Sequence, residues 1–272
     1  MCKIIPITKV FTQEVIVQEG ANTKMNKLLR CKTPALDDKQ GYLVMKNAGT
    51  MDLFELLEAL DAGIITLNVK EKLQLTYTII KAVIGQSHNL NLIHTDLKPE
   101  NFMVDPETMN IILIDYAFAT PVDQPRTDKS IHGTKEYLAP EIMCDNSITI
   151  KSDSFALGLT IAQIWGYLFN LNITPFTSFD QLYEFHSTRT WTHLFEKMPL
   201  SALTKDKITK ILDALTEFDP AKRIMPADAL IQWEHLLNEF DQIEACHDDH
   251  QDSVKPPQLK QSLFTRSPAF FH

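Results

Sequence analysis

Cysteine is scarce in this 272-residue chain: Cys2, Cys31, Cys144 and Cys246 stand far apart, with no C-x-x-C pair. That dispersal excludes a zinc ribbon and a dense disulfide scaffold and fits the cytoplasm or another reducing compartment. Glycine is sparse too, and none of the 8 glycines forms G-x-G-x-x-G, the loop whose backbone cradles phosphates. No apolar run approaches the roughly 20 residues of a membrane helix. The run from Phe155 to Leu171 is broken by Gln163 and Asn170 and reads as core. The first residues, interrupted by Pro6 and Lys9, carry no visible export signal. Basic residues are outnumbered, 26 Lys plus Arg against 35 Asp plus Glu, for a formal charge of −9. Nucleic acid is therefore not an expected partner, because tracking its phosphates takes many Lys and Arg side chains.

What remains is an ordinary globular composition, 44% hydrophobic and 22% charged, long enough for a packed core in one or two lobes. Residues 1–7 and 41–46 are short apolar runs that read as strands, and residues 11–29 have the length of a helix. From Asp52 the pattern turns helical, with Leu53, Leu56, Leu57 and Leu60 on one face and Gly63 placed to end it. Leu73, Tyr77, Ile80 and Ile84 form the stripe of a second, core-facing helix. Residues 102–104 and 111–114 are apolar runs separated by turn formers and predict a hairpin. Residues 116–141 lack periodicity, and so long an irregular stretch inside a domain points to function. Helices are then expected over 154–171, around Ile208, Ile211, Leu212 and Leu215, and from Leu230 through Phe240. After Ala245 the chain becomes a polar tail. Its His247-Asp248-Asp249-His250 reads as acidic surface, and Phe264, Phe270 and Phe271 read equally as groups that dock on a lobe or a partner and as part of a loosely packed terminus. There is no internal repeat.

The chemistry concentrates in His94-Thr95-Asp96-Leu97-Lys98-Pro99-Glu100-Asn101, a loop between the second helix and the hairpin. Asp96 can take a proton from a hydroxyl, Lys98 can neutralise an anion, and Asn101 offers an oxygen suited to a hard cation such as magnesium. The hairpin ends in Ile114-Asp115, where a carboxylate leaves a buried strand. Because two strands and a turn separate Asn101 from Asp115, the hairpin returns them to one neighbourhood, where their oxygens can share a cation.

The order H-x-D-L-K-P-E-N, hairpin, Asp115-Tyr116-Ala117, then Gly133-Thr134-x-x-Tyr137-x-Ala139-Pro140-Glu141 resembles the eukaryotic-type protein kinase family, in its Ser/Thr branch. Asp153 with Leu157-Gly158 is similar to the opening of that family's central helix, and Arg223 to the arginine that pairs with Glu141. The resemblance covers roughly residues 41 to 240. It implies an α+β, two-lobed kinase-like fold: a reduced N-lobe over 1–49, a mostly helical C-lobe over 50–244 and a tail over 245–272. It also implies ATP and Mg2+ as cofactors and a protein substrate phosphorylated on Ser or Thr. Asp96 would be the base and Lys98 would sit on the transferring phosphate. Asn101 and Asp115 would hold the metal, with Thr134 and Tyr137 on the substrate-facing wall.

Upstream, Met1-Cys2-Lys3-Ile4-Ile5 is similar to the family's lysine-bearing strand. Lys3 would then grip the nucleotide phosphates, paired with Glu19 or alternatively Glu14, although an ordinary surface lysine is the competing reading. The stretch GYLVMK resembles the strand leading to the hinge, which would put Met45 behind the adenine and the backbone of Lys46 to Ala48 beside it. Three features depart from the family pattern. Nothing in the chain supplies the glycine loop, Ala117 replaces a glycine, and Thr95 stands where the family usually has arginine. The last of these predicts that phosphorylation between Thr120 and Thr134 is not the main on-switch. Two further functions stay open: a pseudokinase or scaffold, and a kinase fold that transfers AMP. The sequence carries no signal for oligomeric state.

Overall fold

The computed structural model describes the backbone of residues 2–6, 28–32, 40–45, 51–105, 108–125, 130–167, 178–191, 194–196 and 198–248, with side chains between residues 51 and 242 of those ranges. Strands β1 (Cys2–Pro6), β2 (Leu28–Lys32) and β3 (Gln40–Met45) form an antiparallel sheet in the order β1-β3-β2. Lys3 lies opposite Leu43 and Met45 opposite Leu28. The helix expected over 11–29 is corrected at its end, where Leu28 and Leu29 belong to β2. Adjacent leucines fit either structure, and pairing with β3 decides it. The rest of that expected helix lies outside the described residues.

The short strand β4 (Met51–Asp52) runs directly into helix α1 (Leu53–Asp61) through a capping box. The Asp52 carboxylate accepts from the Glu55 amide at 2.8 Å, and the Asp52 amide donates to the Glu55 carboxylate at 3.1 Å. This occupies amides that the helix itself leaves unpaired. Asn68 and Glu71 build the same box at the start of α2 (Val69–Gln86). The predicted stripe of α2 is only half right: Leu73 and Ile80 are buried, but Tyr77 and Ile84 are half-exposed, while Leu75, Thr76, Ile79, Ala82 and Val83 are buried instead. The helix is packed on more than one side, which widens its buried face beyond a single row.

Strands β5 (Leu92–Ile93), β6 (Phe102–Val104), β7 (Ile111–Leu113) and β8 (Thr120–Pro121) follow. The expected hairpin is present, with Phe102 opposite Leu113 and Val104 opposite Ile111, in a sheet ordered β4-β6-β7. β5 pairs with β8, which brings the start of the 116–141 stretch alongside the loop that begins at His94. The helices beyond are α3 (Pro140–Asp145), α4 (Ile150–Ile164), α5 (Phe179–Ser187), α6 (Ala202–Leu215) and α7 (Pro226–Asp248). α4 is displaced from the predicted 154–171. Thr149 and Ser152 cap it earlier, and it stops before Gly166, whose φ of +100° breaks the helix. Neither α3 nor α5 is among the expected helices, although Phe179, Leu182 and Tyr183 of α5 fall at helical spacing.

α4 is the centre of the core, buried on nearly every face from Ser152 to Ile164. Gly158 allows α6 to approach, since a Cβ there would lie 2.5 Å from the Thr216 methyl and 2.9 Å from Leu215 Cβ. Ile208, Ile211, Leu212 and Leu215 are buried as their spacing predicts. At the far end of α4, Trp165 packs against Trp233 and Phe195, and the Trp233 indole donates to the Leu73 carbonyl at 3.0 Å. A strand-bearing N-terminal region and a largely helical remainder thus make the mostly helical, two-lobed kinase-like architecture. By its contacts the chain divides into units Met1–Leu237 and Asn238–His272; the described part of the second is helical to Asp248. Among the described residues no helix is long and apolar enough to cross a membrane.

His186 of α5 is 2% exposed, edge-on to the Phe155 ring, with the Arg189 guanidinium 3.3 Å from Nδ1. Burial first, and the Arg189 charge second, push its pKa down to about 3. The folded state therefore binds fewer protons than the unfolded state between about pH 3 and the ordinary histidine value near 6.5. Stability from this site is full above pH 6.5 and is lost as pH falls below it. The urea midpoint is expected to drop between pH 7.5 and pH 5, and less so in His186→Asn. Equal drops in both proteins would refute the assignment.

Candidate active site

The loop from His94 is shaped by Asp153 in the first turn of α4. This carboxylate, 1% exposed, accepts the His94 amide at 2.8 Å, the Thr95 amide at 2.9 Å and the His88 imidazole at 2.9 Å. Placed at a helix N-terminus, a buried carboxylate is compensated by the helix dipole as well as by these donors. Thr95 takes a left-handed φ of 65°, and its hydroxyl donates to the Phe118 carbonyl at 2.7 Å. The turn so fixed presents Asp96.

Asp96 is 7% exposed and its carboxylate is held from three directions. Oδ1 accepts from the Thr134 amide at 2.7 Å and the Thr134 hydroxyl at 2.8 Å. Oδ2 accepts from Asn101 Nδ2 at 3.2 Å and lies 3.7 Å from the Lys98 ammonium. Lys98 also donates to the Thr134 hydroxyl at 2.8 Å, so base, hydroxyl and cation form one cluster. Gly133 makes this contact possible. Its φ is +108°, and a Cβ would stand 2.7 Å from the Thr95 carbonyl oxygen.

Asn101 and Asp115 are joined by the hairpin as expected, since the Ile114 amide donates to the Asn101 carbonyl at 2.9 Å. Asp115 itself adopts φ 63°, ψ 67°. The Asn101 amide nitrogen is committed to Asp96, with a further bond of 2.6 Å to its backbone carbonyl, which turns the side-chain oxygen away from Asp96. One amide oxygen and one carboxylate are hard donors that fit magnesium, which takes few protein ligands and completes its shell with phosphate and water. Among the described residues no three His, Cys, Asp or Glu side chains converge as a metal group.

Glu141 and Arg223 meet as a buried bidentate pair at 2.7 and 2.9 Å. Tyr137 is half-buried; its hydroxyl accepts from Gln163 at 2.9 Å, and burial raises its pKa. Of the expected nucleotide residues, Lys3 lies within β1 and Met45 ends β3; Glu19, Lys46 and Ala48 lie outside the described residues. Three contributors escaped the sequence reading. From sequence Asp153 reads only as a helix opening and Thr134 only as part of the substrate-facing wall, and Gln86 carries no expectation. Asp153 stands within Lys151-Ser152-Asp153-Ser154 and Gln86 directly before Ser87-His88-Asn89, so local polarity singles out neither.

Residues 4–235 match the protein kinase domain, and the chain belongs to the protein kinase family, in its eukaryotic Ser/Thr-type branch. It is 28% identical over 196 residues to an Aurora kinase of Dictyostelium discoideum, covering 71% of this chain and 46% of that one. It is 25% identical over 186 residues to calcium-dependent protein kinase 22 of Arabidopsis thaliana, covering 64% and 36%. It is 26% identical over 257 residues to developmentally-regulated protein kinase 1 of Dictyostelium discoideum, covering 86% and 34%. The chain spans less than half the length of each of these relatives.

Proposed function

We propose that the chain transfers a phosphoryl group from Mg-ATP to Ser or Thr hydroxyls of protein substrates. The observation that carries this reading is the Thr134 hydroxyl, 2.8 Å from both the Asp96 carboxylate and the Lys98 ammonium. That hydroxyl occupies the relation to base and cation that a substrate hydroxyl needs. Asp96 orients the attacking hydroxyl and takes its proton, while Lys98 neutralises the transferring phosphate. Such transfer depends on positioning and charge neutralisation more than on covalent chemistry. Asn101 and Asp115 would hold Mg2+, which when bound offsets phosphate charge. Lys3, paired with Glu19, is assigned to the nucleotide phosphates, and Met45, Lys46 and Ala48 to the adenine surroundings. The acidic net charge favours basic substrates.

The activation stretch, Thr120 to Thr134, supports independence from phosphorylation. Thr120 is 1% exposed with its hydroxyl on the Gln124 carbonyl, Thr134 is engaged with Asp96, and Thr95 replaces the phosphate-binding arginine of the family pattern. The test is the intact mass of a basic protein after incubation with Mg-ATP and phosphatase-treated chain. Phosphate-sized increments are expected at the rate of the untreated chain, and none when EDTA is present during the incubation. AMP-sized increments would establish the altered transfer, and none would leave a scaffold.

A further inference from the structure

Gln86, the last residue of α2, grips the chain on both sides of Asp115. Its side-chain amide lies along β7: Nε2 donates to the Ile111 carbonyl at 2.8 Å, and Oε1 accepts from the Leu113 amide at 2.9 Å. β7 is an edge of the β4-β6-β7 sheet, so one side chain supplies the two bonds that a neighbouring strand would make. The Gln86 backbone carbonyl then accepts from the Tyr116 hydroxyl at 2.7 Å. These attachments fall two residues before Asp115 and one after it. Between them Asp115 holds a left-handed backbone, a conformation that a non-glycine residue keeps when its surroundings impose it. Tyr116 is 1% exposed, and its ring packs 4.9 Å from His94, whose Nε2 lies 3.0 Å from the Ile114 carbonyl. The hydroxyl is thus the only polar part of a buried ring, aimed at one acceptor.

We propose that Gln86 and the Tyr116 hydroxyl are positioning residues that hold Asp115 in the conformation from which it ligates metal. The inference deepens the proposed function and rests on its assignment of Asp115 to the metal. It supplies a mechanical reason for a site that is set without phosphorylation of the activation stretch: the restraint comes from α2 and β7. Tyr116→Phe keeps the ring and deletes the bond. Gln86→Glu keeps the acceptor for Leu113 and loses the donor to Ile111.

Calorimetric titration of the full chain with a non-hydrolysable ATP analogue, in EDTA and then in Mg2+, reads the effect without transfer. Tyr116→Phe is expected to bind the analogue in EDTA as the unaltered chain does, and to lose about 10-fold of the gain that Mg2+ brings. Gln86→Glu should lose part of it. Hydrogen exchange at the amides of residues 113–116 should quicken in both. A variant with a lower melting temperature but the full Mg2+ gain would overturn the proposal and leave Tyr116 a packing residue. Absence of any Mg2+ gain in the unaltered chain would overturn the metal assignment itself. Normal Mg2+ gain without phosphate transfer would sink the proposed activity alone.

Discussion

Asp96→Asn is expected to lower kcat by about 10²- to 10⁴-fold, the range spanned by removal of a positioned general base. The substitution is nearly isosteric, and its side-chain oxygen can still accept from the Thr134 amide, which is 2.7 Å away in the unaltered chain. The loop should therefore keep its shape, because Asp153 rather than Asp96 holds the amides of His94 and Thr95. What disappears is the proposed proton acceptor, together with the negative charge facing the Lys98 ammonium. KM for ATP should change little, since the proposed nucleotide contacts and the proposed base are different residues. The check is steady-state kinetics of both proteins with one substrate, alongside their melting curves. A kcat within about threefold of the parent, with the fold intact, would remove Asp96 from the mechanism.

The loop from His94 to Asn101 is legible because its reactive residue types lie consecutively between two periodic segments. A hairpin of short apolar runs also has few ways to close, and it returned Asp115 to Asn101 through the Ile114 amide. The helix ends were harder. Residues 168 onward continue the apolar run of α4, yet the helix stops before Gly166, which sequence hydrophobicity does not register. α5 is short, and of Phe179, Leu182, Tyr183 and His186 at helical spacing it buries only Leu182 and His186. The tie between Gln86 and the Asp115 segment was unreadable for a different reason. Glutamine at a helix end is ordinary surface chemistry until the facing strand is known to need two hydrogen bonds. The same holds for Thr134, whose contact with Asp96 joins residues 38 apart through a glycine of unusual φ.

Glu141→Ala is expected to cost about 3–5 kcal/mol of folding stability, the usual consequence of stranding one member of a buried ion pair. Arg223 is 1% exposed and all its N–H groups are engaged. Nε donates to the Glu217 carbonyl at 2.7 Å, Nη1 to Glu141 and the Lys151 carbonyl, both at 2.7 Å, and Nη2 to Glu141 at 2.9 Å and the Phe218 carbonyl at 3.2 Å. The guanidinium also lies 5.0 Å from the centre of the Phe155 ring. Losing Glu141 leaves a cation in a dry site with only carbonyl partners, and leaves the Ser152 hydroxyl without the carboxylate it donates to at 3.1 Å. Arg223→Lys should be costly as well, because an ammonium cannot reproduce the planar fork. The double change Glu141→Leu with Arg223→Met removes both charges and should cost clearly less than the sum of the single changes. Melting temperature reads this out, with a fall of roughly 10 °C expected for Glu141→Ala. A fall of under about 2 °C would mean that the pair is solvated in solution and contributes little. The pair also ties α3, which begins directly after the stretch bearing Thr134, to the turn before α7. Loosening it should therefore release Thr134 from Asp96 and lower kcat at temperatures where the fold still stands.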